Sequence, residues 1–231
     1  MGMEETKEQS RTGQVVIFGG TFNPVHLAHA HVVKEILRLI VPDRLYVVPA
    51  AVPPHKQGRN IVSAEHRVAM LERAMGGLPV VLSDVELKRE GKSFTVDTLR
   101  ALRKEVAGDA ELYLTMGVDA FFDFHTWRDE KLILSMAGII VVNRPGTPHG
   151  DLPVEELQGY LTDHIDSGYS WDPERKRFVH PSLCGIVPLS VTPVSPLSST
   201  DVRTCIEQGD RPTDLLHPEV LRYIEDKGLY R

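Results

Sequence analysis

His26, His29 and His31 fall within the stretch GGTFNPVHLAHAH at 19–31, directly after an apolar run and two glycines. His26 and His29 stand three residues apart at the start of a candidate helix, so they share a face. Imidazoles placed there can donate to phosphate oxygens, helped by free main-chain amides and the helix dipole. Two other readings stand beside that one: a zinc site, or histidines that cap the helix or pack against its core side. Zinc normally takes about three or four ligands. His31 points elsewhere on the helix and reads as structural, and the HExxH spacing is missing. Gly19 and Gly20 either let amides approach a phosphate closely or make an ordinary tight turn. The stretch matches neither GxGxxG nor GxxxxGK[ST], so the dinucleotide fingerprint and the P-loop are both absent.

Other candidates lie far away in the chain. His55-Lys56 follows two prolines, where a lysine can meet a phosphate as a mobile point charge or simply sit in a solvated loop. Arg203 falls in the first turn of a helix beginning SSTDVR, with Ser199 or Thr200 as its cap. An arginine gains little from the dipole there, unless a bound phosphate pairs with both. The alternative is capping plus a surface ion pair. Asp119 and Asp123 flank AFF and could hold Mg²⁺ or ribose hydroxyls, or Asp119 could be an N-cap. Trp127, beside this acidic segment, is either a ring platform or core packing.

The elements that must position these groups alternate between β-branched runs and amphipathic segments. VVIF at 15–18, LYVV at 45–48, VVL at 80–82, ELYLT at 111–115, GIIVV at 138–142 and GIVPLSV at 185–191 read as strands. Gly19-Gly20 break the first strand. Helices are expected at 27–40, stopped by Pro42; from the Ser63 cap to Met75; from Thr95; and through most of 119–137. Another is expected near 153–166. The last two follow at 199–209, ended by Gly209, and at 217–228, with Pro218 in the first turn. YSW and RFVH on either side of DPERK form a hairpin or a surface excursion.

This order predicts an α/β protein: a doubly wound, Rossmann-like parallel sheet with a small C-terminal helical portion. Ligands in such folds bind outside the carboxyl ends of the strands, where the unusual polar residues cluster. Residues 1–13 read as a disordered N-terminal segment. Residues 14–191 form the α/β core, with an irregular excursion near 144–184, and 192–231 the helical portion carrying SSTDVR in the same catalytic unit.

Composition narrows the partners. The 231 residues carry 26 basic and 32 acidic side chains, net -6. That balance argues against broad binding to nucleic acid or anionic membranes but permits a local basic pocket. The two cysteines, Cys184 and Cys205, form no CxxC pair, so neither a disulfide framework nor a four-sulfur metal site is expected. The polar N-terminus is not a signal peptide, and no apolar run approaches the roughly 20 residues that span a bilayer. The cytoplasm is the default compartment.

Taken together, the motifs resemble the nucleotidyltransferase superfamily with an HxGH-type first signature and an SSTxxR-type second one. The closer resemblance is to the bacterial nicotinate mononucleotide adenylyltransferases. It is carried by GGTFNPVHLAH at 19–29, VPAAVPPHK at 48–56, SAEHRVAML at 63–71, SFTVDTLRAL at 93–102 and LTMGVDAF at 114–121. Thr126-Trp127, VVNRPG at 141–146, LSSTDVR at 197–203 and the terminal VLRYIEDKGLY complete it. The likeness implies transfer of adenylyl from ATP to nicotinate mononucleotide, in NAD biosynthesis. It implies that His26, His29, Lys56 and Arg203 engage the reacting phosphates, with Gly19, Gly20, Thr21, Phe22, Ser199 and Thr200 around the nucleotide. Asp119 would contact its ribose. The main chain at Ser93, Phe94 and Thr95 would read the nicotinate carboxylate, with Thr126 and Trp127 beside the pyridine ring. Mg²⁺ is expected to ride mainly on the ATP phosphates, with no protein metal site. Alternatives are a preference for nicotinamide mononucleotide or phosphopantetheine, or a nucleotide-binding regulator without turnover. The chain departs from the family pattern at Ala28, where glycine is usual, and in an excursion around 150–182 that looks long. That excursion could carry a homo-oligomer contact or a lid.

Overall fold

Among the described residues, β-branched and leucine-rich runs build one eight-stranded sheet from β1 (Gln14–Gly20), β2 (Arg44–Pro49), β3 (Val81–Leu82), β4 (Glu111–Gly117), β5 (Gly138–Val142), β6 (Ser170–Asp172), β7 (Arg177–Val179) and β8 (Ile186–Leu189), ordered β3-β2-β1-β4-β5-β8-β7-β6. The computed structural model describes residues 13–51, 61–106, 108–144, 150–192 and 197–231. β1 lies between β2 and β4, parallel to both. β3, β5 and β8 extend the parallel part. Alternate residues point to opposite faces. Val15, Ile17, Leu112 and Leu114 enter one core cluster; Val16, Phe18, Leu45 and Val47 enter the other.

Helices α1 (Leu27–Leu39), α2 (Ala64–Met75), α7 (Ser199–Glu207) and α8 (Pro218–Lys227) cover the second face. Helices α3 (Thr95–Glu105), α4 (Val118–Phe122), α5 (Glu130–Met136) and α6 (Val154–Tyr160) cover the first. α1 buries Ala30, Val33 and Ile36, three residues apart on one stripe. Chain order runs outward from β1 to β2 and β3, then returns to β4 on its other side. The strand order therefore reverses between β1 and β4, and folds of this kind bind their ligands beyond the carboxyl ends of the strands at such a reversal.

The doubly wound Rossmann-like architecture is present, with two corrections. The sheet is mixed rather than wholly parallel. β6 and β7 form the hairpin around DPERK, and β7 joins β8 antiparallel. Trp171 packs on Phe178 across the hairpin at 5.0 Å, and Phe178 is fully buried, so the excursion finishes the sheet edge. The segment 119–137 is three pieces, because a 3-10 turn at Phe124–Thr126 and a left-handed Asp129 interrupt it. Among the described residues no helix is long and apolar enough to cross a membrane.

Candidate functional site

The candidate site starts with the last two residues of β1. Gly19 and Gly20 do not break the strand: they pair with Val48 and Pro49 and end it within the ladder. A Cβ on Gly19 would meet nothing within 4 Å, so the main chain is open there. Gly20 has a different reason. A Cβ there would lie 2.8 Å from the Phe22 ring, which folds back over it. Phe22 is buried with φ +49, a left-handed conformation uncommon outside glycine. Its ring also meets His29 edge-on at 5.1 Å. Thr21 carries the preceding carbonyl, which accepts from Arg67 at 2.9 Å.

His26 is the N-cap of α1, and His29 lies one turn on. Their rings lie 3.7 Å apart at 32°. The His26 N–H donates to His29 Nδ1 at 3.2 Å, which places the proton of a neutral His29 ring on Nε2. His26 itself is 6% exposed, and among the described residues its Nδ1 has no hydrogen-bond partner. Burial first, then the nearby Arg144 cation, push its pKa from 6.5 down to about 4, against an opposing pull from Asp201. It is therefore a neutral imidazole at neutral pH. His31 turns away and bonds the Thr192 carbonyl at 2.8 Å, tying α1 to the chain after β8. Ala28 packs its methyl on the core cluster beneath α1, so the helical backbone accommodates it.

α7 arrives at the same turn. Ser198 is its N-cap, rather than Ser199 or Thr200, because Ser198 and Asp201 form a reciprocal capping box. The two hydrogen bonds from Ser198 hold the Asp201 carboxyl below its ordinary range. Ser199 is freed to donate to the Pro24 carbonyl at 2.9 Å. Arg203 donates to Asn23 O at 2.8 Å, Ser199 O at 3.1 Å and Thr200 Oγ1 at 3.1 Å. The second signature is thus bolted to the NPVH turn of the first. Asn23 Oδ1 meanwhile accepts from Val62 N–H and Tyr230 O–H.

Asp119, in the first turn of α4, pairs with Arg144 at 2.9 Å, half exposed at the ends of β4 and β5. Since Arg144 and Asp201 both act on His26, the ends of β5, α1 and α7 share one electrostatic site. Ser93 Oγ accepts from Ala51 N–H at 3.0 Å, which hangs the head of α3 beside the end of β2. Phe94 caps α3 and Thr95 opens it, leaving first-turn N–H groups without helical partners. Arg128, which follows Trp127 in the chain, lies over the Phe94 ring at 4.8 Å. Thr126 Oγ1 is turned to the Asp123 carbonyl, and Trp127 packs on Phe124 at 5.5 Å.

His26, His29, Arg203, Ser199, Thr200 and the Gly19–Phe22 turn therefore come together, while at the head of α3 Phe94 meets Arg128, the residue after Trp127. Lys56 lies outside the described residues. Sequence reasoning did not single out Arg67, Arg144, Asn23 or Asp201. Arg67 carried a signal: it shares the buried stripe of α2 with Met70 and Leu71, where an arginine is out of place. Among the described residues no three His, Cys, Asp or Glu side chains group closely enough to hold a metal ion.

The cytidylyltransferase-like family model matches residues 17–205. A probable nicotinate-nucleotide adenylyltransferase of Pectobacterium atrosepticum is 37% identical over 93% of this chain and 97% of its own. One from Geobacter sulfurreducens is 35% identical, over 93% and 96%. The fold is shared with the Plasmodium falciparum nicotinic acid mononucleotide adenylyltransferase complexed with NaAD. That match has a TM-score of 0.71 at 19% identity and covers 94% of this chain and 97% of that one.

Proposed function

This chain belongs to the nicotinate-nucleotide adenylyltransferase family, and we propose that it transfers the adenylyl group of ATP to nicotinate mononucleotide, releasing pyrophosphate and forming nicotinate adenine dinucleotide. The observation that carries this reading is the convergence of the adjoining His26 and His29 rings and the start of α7 on one turn at the switch point.

The nucleophile is a phosphate oxygen that is already charged, so the chain needs no nucleophile of its own and no strong general base. It must bring two polyanions together and align the attacking oxygen with the leaving pyrophosphate. Fixed donors then stabilise charge as it develops. His29 offers Nε2–H, held in place by the rings of Phe22 and His26. A neutral His26 offers hydrogen bonding without the penalty of a buried cation. Arg203 supplies permanent charge, and Lys56 would add a mobile one. Asp119 would take the ribose, exchanging its contact with Arg144. The first-turn amides of α3 would receive the nicotinate carboxylate, with Trp127 beside the ring. A carboxamide, with one acceptor and a donor, would match those amides less well.

The described residues offer Mg²⁺ no carboxylate cage. Mg²⁺ bound through the ATP phosphates would offset charge on the leaving group.

The test supplies purified protein with ATP and Mg²⁺ and, in parallel, nicotinate mononucleotide, nicotinamide mononucleotide or phosphopantetheine, while pyrophosphate is measured. Release with the nicotinate form is expected. Silence with both pyridine nucleotides would sink the reading, and activity with the nicotinamide form alone would overturn its specificity.

A further inference from the structure

Arg67 is a fully buried cation, 1% exposed, and among the described residues no carboxylate oxygen bonds it. Its guanidinium meets three main-chain carbonyls instead. Nη1 donates to Thr21 O at 2.9 Å, Nε to Val62 O at 3.3 Å and Nη2 to Ala51 O at 3.4 Å. These carbonyls belong to the β1–α1 turn, the residue before the cap of α2, and the chain just after β2. A planar fork reaches the three acceptors from three separate nitrogens in fixed directions, whereas an ammonium gathers its three donors on one rotatable nitrogen.

The β1–α1 turn and the head of α3 are linked through Ala51. Its carbonyl takes Arg67, and its N–H donates to Ser93 Oγ at 3.0 Å. One residue earlier, Ala50 N–H donates to Gly20 O at 2.9 Å. The head of α3 thus hangs on the same short segment that registers β2 against the end of β1. On the other side, Arg67 draws the Thr21 carbonyl inward. The planar trans peptide then turns the Phe22 N–H away from the guanidinium. Phe22 is left-handed and carries the ring that braces His29, so this peptide plane bears on the histidine pair.

We infer that Arg67, acting through Thr21 and Ala51, sets the spacing between the turn that binds ATP and the segment that binds the pyridine nucleotide, as a positioning residue that touches neither substrate. The inference rests on the proposed reading of those two segments. An in-line transfer between two bound polyanions is the kind of step that suffers when its partners shift by about 1 Å, while each partner still binds.

The test uses Arg67→Lys, Ser93→Ala and the double variant of the full chain. Arg67→Lys is expected to lower kcat at least about tenfold, with KM for each nucleotide within about threefold of wild type. Ser93→Ala is expected to lower kcat as well. The double variant is expected to fall no more than about threefold below the weaker single, because both act through Ala51. Losses that multiply, a rise in KM with kcat kept, or a lowered Tm with wild-type kcat would each overturn the inference. Hydrogen exchange keeps it separable from the activity itself. Even if wild type transfers no adenylyl group, Arg67→Lys should speed exchange in residues 19–25 and 93–98 together, leaving β5 unchanged. A change confined to α2 would contradict it. Should Arg67→Lys fail to fold, Ser93→Ala carries the same exchange test at residues 19–25.

Discussion

Replacing His26 with glutamine should flatten the acid limb of the protein's stability curve. His26 is enclosed at the N-cap of α1 beside Arg144, and its pKa is held from 6.5 down to about 4. The unfolded chain therefore takes up a proton at this residue before the folded chain does. A folded value depressed in this way gives stability that is whole above the ordinary histidine range and lost as pH falls toward the folded value. At about 1.4 kcal/mol per pKa step, lowering the pH from about 7.5 to about 5 removes about 2 kcal/mol through this one ring. Glutamine does not titrate, so its own effect on stability is the same at both pH values. The assay is urea unfolding of wild type and His26→Gln at the two pH values, read as the difference of differences. That comparison cancels the other nine histidines of the ten in the chain and most of the carboxylates. Wild type should lose about 2 kcal/mol more than the variant over this window. Parallel losses would mean that His26 titrates alike in the folded and unfolded chain, and that burial and Arg144 do not hold it neutral.

Three further predictions concern the same site. His29→Ala should lower kcat at least about tenfold, or roughly 1.4 kcal/mol of barrier, in the pyrophosphate assay; unchanged turnover would make His29 structural. Gly20→Ala drives a methyl into the Phe22 ring at 2.8 Å, and should destabilise by about 1–3 kcal/mol in a thermal melt and reduce turnover; a wild-type Tm would refute the packing argument. Stripping metals with a chelator should abolish turnover, and Mg²⁺ alone should restore it; a further requirement for zinc would revive a metal reading of the histidines.

The alternation of apolar runs and amphipathic helices made the sheet, its helices and their order legible in the sequence, because each segment carries its own period. The hairpin at 170–179 was harder. Its strands have three residues each and gain stability only by joining β8, a partner that local sequence does not show. At α7, the Ser198–Asp201 pair was visible as an S-x-x-D box, yet Ser199 and Thr200 look equally good as caps until the geometry selects one. The histidine pair could be found from spacing alone; that His26 is neutral could not, since Arg144, over a hundred residues away, and burial set its charge. Arg67 was the least legible. Its partners are main-chain carbonyls, which have no signature in residue type.

The most direct measurement follows the adenylyl group itself. ATP labelled at its α-phosphorus is incubated with the protein, Mg²⁺ and nicotinate mononucleotide, and the products are separated after denaturation. The account predicts that the label moves into nicotinate adenine dinucleotide, mole for mole with pyrophosphate, and that none stays on the protein. Label retained in ATP, or bound covalently to the chain, would contradict direct transfer between two substrates held in this site.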